Sequence, residues 1–546
     1  MPRDVEKRAA GGRPVAGQPG GKPAEGGGRS PGSRPPAPAA AAGARPAANR
    51  RWPWLPFFDL AVAAALVPGF LLGGLMAAAA WRGWSWIHAY PALAQAHGHA
   101  QLIGWGGALI LGVALQFLPR LRGSTLVQPE RVPLWFGWFA VGLGLRVCGQ
   151  AAAALVPAAA PAGLWILAAG AVLELVAAAG LLTLLARSLR AGPPLGQKKA
   201  FGQVVPLFAV AAAGLLASLA LWAAAALFTV TQSGIGFGAE SAVRTVGGAV
   251  TDTTAATAAG AAQGASGRST LAAMLPSPVD TASVRLALFG FIGAVSVAMS
   301  ARVFSLFFRI RPARAGWLAA AAVAFGAGLV LDTGAGIRAL LTGRAAPLPL
   351  GAAADLAWGV ALALGTVAVR VIEPRLVFPG DKGGYRWWRD PTGVAALLAY
   401  AWALVAALLL LIRGLGNLGL PLTPATPPAD APLHAAGAGF MTLLIMAVAP
   451  TMLPGFGGGR LQKRGSVIAA VVLAGLAAFL RVLPGLAQTV TGRAAPWSTP
   501  VMALAGAAGL GAVVALVVAL RTSWRAAGEA SARDNGKARP RGQGRA

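Results

Sequence analysis

The chain has 546 residues, of which 56% are hydrophobic and 12% are charged, and its mean hydropathy is +0.64. Soluble domains carry about 25% charged residues, so this composition excludes a soluble globular protein. We assign the formal net charge of +29 to tails and loops that orient a membrane protein, and not to a nucleic-acid surface. The single cysteine, Cys148, excludes an intramolecular disulfide, a cysteine-ligated iron–sulfur cluster and a covalently attached haem.

The two ends of the chain are basic and contain few large apolar residues. Residues 1–51 are dominated by Pro, Gly, Ala and Arg, and they contain ten Lys or Arg against three Asp or Glu. Such a segment cannot bury enough apolar surface to offset the entropy that is lost on ordering. We therefore expect a disordered basic tail over 1–51, without a cleaved signal peptide, and a second disordered tail over 521–546.

Twelve apolar segments lie between the tails. Each is long enough to cross a hydrocarbon core of about 30 Å as a helix of about 20 residues. Their length and their Ala and Leu content favour helices over barrel strands, so the sequence predicts an all-α, polytopic membrane domain over residues 52–520. The predicted spans are 59–80, 97–118, 133–156, 163–187, 203–230, 284–308, 316–341, 350–372, 393–413, 432–454, 465–487 and 498–520.

The basic residues of the loops predict the orientation of these spans. With the N-terminal tail in the cytoplasm, the five inner loops contain sixteen Lys or Arg in roughly 66 residues, and the six outer loops contain five in roughly 111. Cytoplasmic loops carry such an excess of basic residues. We therefore expect both termini in the cytoplasm, in a bacterial inner or plasma membrane. The Gly-, Ala-, Thr- and Ser-rich segment 231–283 is expected outside as a flexible loop.

Four histidines stand at the predicted outer side. His97 and His99 begin span 2, His434 begins span 10, and His88 lies in the outer loop 81–96. One interpretation is that they are polar caps at headgroup depth. The other is that they ligate a haem, or form a metal site, between spans 2 and 10, because neutral imidazole suits iron and copper.

His97 and His99 are not equivalent in a regular helix. Residues two apart point about 200° away from each other, so both cannot face one haem. One would ligate the iron and the other would bind copper or a hydrogen-bond partner, whereas both could chelate one metal if the helix began only near residue 100. We prefer His99 as the haem ligand, because its helix face continues through Ile103, Gly106 and Ile110.

Charged residues inside the spans form a second group of candidates. Arg146 and Arg481 lie near the level of the histidines, where they either pair with haem propionates or snorkel to the headgroups. Glu174, near mid-membrane, marks either a proton or ion pathway or a protonated structural residue, and Arg302 and Asp332 are weaker cases. Glycines near the histidines suit a macrocycle or close helix packing equally well: Gly98, Gly104, Gly106, Gly107, Gly437 and Gly439.

Four segments together resemble the NnrS family of membrane proteins. They are HGHAQLIGWGGALILGVALQFLPRLRG in span 2, VAMSARVFSLFFRIRP at 297–312, HAAGAGFMTLLIMAVAPTMLPGFGGGR in span 10 and its exit, and LAAFLRVLPGL at 476–486. The resemblance implies a twelve-helix protein that binds haem and copper and is associated with nitric oxide, nitrosative stress or denitrification. Ala100 replaces the acidic residue that follows the second histidine in the family, and span 6 has no histidine, so the resemblance is to a divergent branch.

The number of spans and the placement of the histidines are also similar to those of the catalytic subunit of haem–copper oxidases. In that subunit, helices two and ten ligate the low-spin haem, and histidines on helices six and seven bind copper. Spans 6 and 7 of this chain contain no histidine. This resemblance therefore implies a low-spin-type haem site and no oxygen-reducing binuclear centre.

The leading hypothesis is an NnrS-like haem-binding membrane protein that acts in the nitric oxide response or in electron transfer with a redox partner. The alternative is a twelve-span secondary transporter, for which two symmetry-related six-span halves are expected. Neither hypothesis decides whether the protein is an enzyme, and neither involves nucleic acid. The candidate haem-binding residues are His97, His99, His434, Arg146 and Arg481, and the candidate metal ligands, copper included, are His88, His97, His99 and His434.

Overall fold

Twelve helices long and apolar enough to cross a membrane make up almost all of the structure, a computed structural model that describes residues 53–234, 274–377 and 387–537. These residues contain no strand, so the predicted all-α, twelve-span architecture is confirmed. The predicted tail 1–51 lies outside the described residues. The spans are α1 (Leu55–Arg82), α2 (Ser85–Arg122), α3 (Pro129–Leu155), α4 (Ala160–Arg190), α5 (Val205–Gln232), α6 (Ser277–Phe307), α7 (Ala315–Thr342), α8 (Leu348–Val369), α9 (Pro391–Asn417), α10 (Asp430–Phe456), α11 (Arg464–Thr491) and α12 (Ser498–Ala530).

Two predicted loops are shorter in the structure than the sequence predicted, because the helix that follows each of them begins earlier. The loop prediction for 81–96 is wrong over most of its length, because α2 begins with a 3₁₀ turn at Ser85 and continues as α-helix from Tyr90. Pro91 favours a helix start there, because a first-turn residue needs no N–H partner. In the predicted loop 231–283, α6 already begins at Ser277, and residues 235–273 lie outside the described residues.

The predicted disordered tail at 521–546 is wrong as far as Lys537, because the last helix continues from α12 to that residue. Side chains near the end of α12 hold it to the bundle. The Trp524 indole donates to the Leu453 carbonyl, and Arg521 pairs with Asp59 of α1. The polar and basic composition of 521–546 gave no indication that Trp524 is buried against α1 and α10. The residues after Lys537 lie outside the described ones.

The packing of the twelve helices repeats every four helices. The closest pairs are α3 with α4, α7 with α8, and α11 with α12, which are the third and fourth helices of three consecutive groups of four. The fourth helix of each group then packs against the first helix of the next, with α12 packing against α1. The groups α1–α4, α5–α8 and α9–α12 therefore follow one another around the bundle.

The second helix of each group lies at the centre. The most apolar stretches of α2, α6 and α10 are 78%, 83% and 78% buried, whereas those of α1, α3 and α12 are each 33% buried. Each central helix contains a π-helical segment, at Ala100–Ala108, Leu286–Gly293 and Ala435–Met441, and these segments contact one another. Such widened turns disturb regular packing and are frequent at functional sites.

Glycines allow α3 and α4 to approach closely. A Cβ atom on Gly149 would lie 2.6 Å from the Leu167 nitrogen, and one on Gly163 would lie 2.7 Å from the Gly149 oxygen. Because membrane helices gain little from the hydrophobic effect between them, close backbone approach supplies much of their packing energy. This interface holds two charged side chains, Arg146 and Glu174, at fixed positions in the bundle interior.

Candidate functional site

Most of the buried polar side chains lie toward one end of the bundle, where α2, α4, α6, α8 and α10 begin. We call it the histidine end, because His97 and His99 lie in the first half of α2 and His434 is on the first turn of α10. Three groups of polar side chains lie there. Each occupies a different sector between two of the three central helices.

The first group surrounds His99 and is closed. The His99 ring is fully buried, and its Nε2 atom lies 2.8 Å from Oε2 and 3.1 Å from Oε1 of Glu174 on α4. The edge of the same ring packs against Trp222 of α5, with 4.5 Å between ring centroids. The Trp222 indole donates to Asp280 of α6 over 2.8 Å. Both the ring and its carboxylate partner are thus held within the protein.

A chain of hydrogen bonds through Arg146 and two amides lies beside this pair. Arg146 donates through Nη1 to the Gln150 side chain, whose amide donates to Gln95 over 2.8 Å. The Gln95 side chain bonds both the nitrogen and the oxygen of Leu275, each at 3.0 Å. We refer to Gln95, His99, Arg146, Gln150 and Glu174 as the closed cluster. It ties α2, α3 and α4 to the segment that precedes α6.

Arg146 is fully buried within this cluster, and its charge interacts with those of Glu174 and Asp280. Its Nε and Nη2 atoms, and His99 Nδ1, have no hydrogen-bond partner in the described part of the chain. Buried polar atoms of this kind are usually satisfied by internal water. The arginine therefore offsets the carboxylate charge of the cluster and does not extend toward a lipid headgroup.

The second group is also closed, and it consists of ion pairs between α6, α7, α8 and α9. Arg285 Nε donates to Asp332 over 2.9 Å, and its Nη1 lies 2.7 Å from Asp355. Asp355 also lies 3.5 Å from Arg413. The Trp358 indole donates to Asp332 over 2.6 Å. We refer to Arg285, Asp332, Asp355 and Arg413 as the arginine cluster, in which two guanidinium groups balance two carboxylates.

The third group contains His97 and His434 and differs in its hydrogen bonding. His97 Nδ1 lies 3.0 Å from the Gly69 oxygen, and His434 Nδ1 lies 2.8 Å from the Asp430 oxygen. A carbonyl oxygen only accepts, so Nδ1 carries the hydrogen in both rings and Nε2 has the lone pair. Neither Nε2 atom has a hydrogen-bond partner among the described residues. This is the arrangement of a histidine that is ready to bind a metal.

A break in α1 provides the carbonyl that orients His97. Pro68 lies inside the helix and has no N–H, and the backbone at Gly69 leaves the helical region with φ −84° and ψ −107°. The Gly69 oxygen is thereby available to the ring of His97. The ring also lies against Gly73, where a Cβ atom would come within 2.8 Å of His97 Cε1. The sequence Pro68-Gly69 with Gly73 thus positions this histidine from a neighbouring helix.

Open space adjoins both of these rings. His97 and His434 lie deep among the helices, near enough for their charges to interact, and yet each remains half-buried. A Cβ atom on Gly98 or Gly437, the glycines next to them, would meet no atom within 4 Å. Gln101, one turn after His97, has a buried Oε1 without a hydrogen-bond partner in the described residues. The glycine next to each imidazole therefore borders a space that none of the described residues fills.

A cation and an anion lie beside this space. Arg481 of α11 donates through Nη2 to Asp430 of α10 over 2.9 Å, and its charge also acts on His97 and His434. A guanidinium has five N–H donors, so one bond to Asp430 leaves donors for a further anion. We refer to His97, Gln101, Asp430, His434 and Arg481 as the open site.

The structure separates the predicted site residues into these groups. It brings together His97, His434 and Arg481, and it places His99 and Arg146 in the closed cluster on another side of α2. The preferred ligand His99 thus has its Nε2 atom paired with Glu174, away from His434. His88 is exposed, and its Nδ1 bonds the Ser85 oxygen over 2.6 Å, so it joins neither group.

The six glycines near the histidines, which could suit either a macrocycle or close helix packing, fall into two classes. A Cβ atom on Gly104 or Gly439 would collide with Ala64 or Trp402, and one on Gly106 would lie 2.6 Å from Met441 Sδ. A Cβ atom on Gly107 would lie 3.1 Å from the Leu102 oxygen of its own helix. Packing against neighbouring helices accounts for Gly104, Gly106 and Gly439, and the π-helical segment of α2 itself crowds Gly107. Only Gly98 and Gly437 of the six adjoin open space.

Sequence reasoning missed several polar residues of these groups. Asp355 interrupts an apolar span as Asp332 does, and the same signal could have identified it. Asp430 lies four residues before His434, on the same helical face. Gln95, Gln101 and Gln150 gave no signal, because an amide in a span is not unusual enough to stand out. Among the described residues, no group of three or more His, Cys, Asp or Glu is arranged to hold a metal ion.

Comparisons with known proteins do not assign the chain to a family. No protein-family model matches it, and no curated protein matches it significantly.

Proposed function

We propose that the protein is a multi-pass membrane haem protein of NnrS type in which His97 and His434 hold the haem iron. The observation that carries the proposal is the pair of imidazoles on two central helices, each with Nδ1 bound to a carbonyl and Nε2 free. A neutral imidazole whose Nδ1 is bound to a carbonyl and whose Nε2 has no partner among the described residues is what ligation of the iron would require.

The other residues of the open site also fit a haem. The space next to Gly98 and Gly437 would admit the edge of a flat macrocycle, and Arg481 offers N–H donors to a propionate. The orphaned Oε1 of Gln101 would gain a partner there, for example a protonated carboxyl group or a bound water. Asp430 would keep Arg481 in place when the propionate is absent.

Haem bound in this way would supply one-electron redox chemistry. Two imidazoles give a six-coordinate iron that suits electron transfer, and a site with one imidazole would leave a position for nitric oxide. The protein's own contribution is to fix both ring tautomers and to keep a balancing cation at the edge of the site. A role in the nitric oxide or nitrosative stress response, with a redox partner, follows from the family resemblance. Copper, also implied by the resemblance, remains a prediction without a ligand set.

One further feature supports this proposal over a secondary transporter, and the charge of the loops supports the proposed orientation. The packing repeats every four helices, whereas the expected transporter design has two six-helix halves. The basic residues of the loops cluster at the end opposite the histidines, so the positive-inside rule would put the histidine end outside and the termini in the cytoplasm of a bacterial plasma membrane.

The test is haem binding by the purified full-length protein in detergent. We expect a visible spectrum with sharp α and β bands on reduction, and we expect His434→Ala to lose it while the protein still elutes as a folded species. The matched control is His88→Ala, which removes an exposed imidazole from the same end of the bundle and should keep the wild-type spectrum. A His434→Ala variant with the wild-type haem spectrum would overturn the proposal.

A further inference from the structure

A cavity of about 100 Å³ lies between the three central helices, away from the histidine end. Within the described part of the chain, its walls come from α2, α6 and α10, and these lining residues follow the π-helical segments or lie at their ends. The cavity thus continues from mid-bundle toward the opposite end. The haem proposal does not use this region.

The shape of the cavity follows from how the central helices meet. All three meet at Gly106 of α2, where a Cβ atom would lie 2.6 Å from Met441 Sδ and 3.0 Å from Ile292 Cδ1. Beyond this point along the helices, the side chains between them leave the cavity. The contact of Gly106, Ile292 and Met441 separates the cavity from the histidine end, and the flexible Met441 side chain is its movable part.

The lining is almost entirely aliphatic. Its polar groups are the hydroxyls of Ser296 and Ser300, and three methionines contribute polarisable sulfur atoms. A buried water needs two to four polar partners, whereas apolar cavities of about 150 Å³ stay dry and bind xenon or benzene. About 100 Å³ of apolar space is enough for one molecule of a few heavy atoms.

We propose that this cavity is a binding site for one small, uncharged, apolar molecule of the size of a dissolved gas. Such a molecule partitions into the bilayer, and the residues that line the cavity are uncharged. The open site lies beyond the Gly106–Met441 contact, so motion of Met441 would connect the two. Binding in the cavity itself does not depend on haem.

The probe is xenon, located by anomalous scattering in crystals of the full-length protein under xenon pressure. We expect a peak between α2, α6 and α10 in the wild type and in the haem-free His434→Ala variant. The same peak in both proteins, with no haem spectrum in either, would contradict the haem proposal and support the cavity proposal. Xenon peaks confined to the lipid-facing surface would overturn this proposal.

Variants with a larger side chain in the cavity wall provide a second test of xenon binding. Ala449→Leu adds aliphatic volume to the cavity wall and should abolish the xenon peak. The matched control is Ala320→Leu, the same change on the exposed face of α7, which should leave the peak unchanged. If Ala449→Leu does not fold, Val113→Ile makes a smaller change in the same wall and should reduce the occupancy. An undiminished peak in both wall variants would contradict the assignment.

Discussion

His97 and His99 are two residues apart on α2, yet one belongs to the open site and the other to the closed cluster. In the closed cluster the protein supplies the partner of His99 Nε2, a buried carboxylate at 2.8 Å, and a buried arginine balances the charge. In the open site the protein fixes Nδ1 of His97 and of His434 and leaves Nε2 without a partner. Nδ1 of His99 also has no hydrogen-bond partner among the described residues, but that ring is fully buried, whereas His97 and His434 are half-buried. Space beside a ring nitrogen, more than the presence of histidine, therefore identifies the candidate ligands.

The arginine cluster extends the comparison to the third sector. It contains two guanidinium groups and two carboxylates, so its charges cancel within the protein. Two of the three sectors at the histidine end are thus closed by internal pairs that join helices, and one is not. Mutations in the closed sectors should lower the free energy of unfolding, whereas mutations in the open sector should weaken ligand binding.

The largest expected effect on stability comes from opening the closed cluster. Glu174→Leu removes the carboxylate and leaves Arg146 buried with less compensating charge. Breaking a buried pair in this way costs about 3–5 kcal/mol. We expect a corresponding loss in the free energy of unfolding, measured by denaturation in mixed micelles. Glu130→Leu, which removes an exposed carboxylate at the start of α3, is the control and should change little.

Overpacking beside the closed cluster should lower the free energy of unfolding by a smaller amount. A Cβ atom on Gly142 would lie 2.8 Å from the Glu174 nitrogen and 2.9 Å from its Cγ. Gly142→Ala therefore pushes α3 away from α4, and overpacking of this kind costs about 1–3 kcal/mol. Gly144→Ala is the matched control on the same helix, because its Cβ atom would meet nothing within 4 Å. Equal stability of the two variants would contradict the close packing described for this interface.

The two histidines should differ in their contribution to stability. His99→Ala leaves Glu174 buried without its hydrogen-bond partner, which costs about 1–3 kcal/mol. His97→Ala removes a half-buried ring that borders open space, and we expect a loss below about 1 kcal/mol. Thermal unfolding of both variants without added haem measures the difference. A more unstable His97→Ala would reverse the assignment of open and closed regions.

The sequence allowed the helices to be predicted well, because hydrophobicity and span length are local properties. It also indicated His97, His434 and Arg481 through their shared depth. The choice between His97 and His99 could not be made, because it depends on Glu174 of α4 and on the Gly69 carbonyl of α1. Both partners are distant in sequence, and only the packed helices bring them to α2.

Arg481 should matter for the ligand more than for the fold. Its pair with Asp430 is partly exposed, with 20% of the Arg481 side chain and 45% of the Asp430 side chain accessible. Exposed pairs contribute about 0–1 kcal/mol, so Arg481→Leu should unfold almost as the wild type does. Haem affinity should fall, or the midpoint potential should shift, because the anionic edge of the haem loses its cation. If the haem affinity and the midpoint potential are both unchanged, the role of Arg481 is purely structural.

The smallest effect is expected at the opposite end of the bundle. Glu373 accepts two hydrogen bonds from Arg370, at 2.9 and 2.6 Å, and pairs with Arg314. The bonds from Arg370, helped by the charge of Arg314, hold the pKa of Glu373 below its ordinary value. The pair therefore stabilises the fold above the ordinary glutamate pKa of about 4.3, and this contribution is lost as the pH falls through the lower folded value.

Comparison of Glu373→Gln with the wild type measures this contribution. The two proteins should differ in Tm near neutral pH, and the difference should shrink on acidification. A difference in Tm that grows as the pH is lowered would have the wrong sign for this pair.

The most direct test of the central claim compares His97→Ala and His99→Ala in one haem-binding assay. Both variants lose an imidazole from the same two turns of α2, so differences in expression or detergent affect them alike. The account predicts that His97→Ala loses the six-coordinate haem spectrum and that His99→Ala, although less stable, keeps it. A wild-type spectrum in His97→Ala together with its loss in folded His99→Ala would contradict the account and would make His99 the ligand.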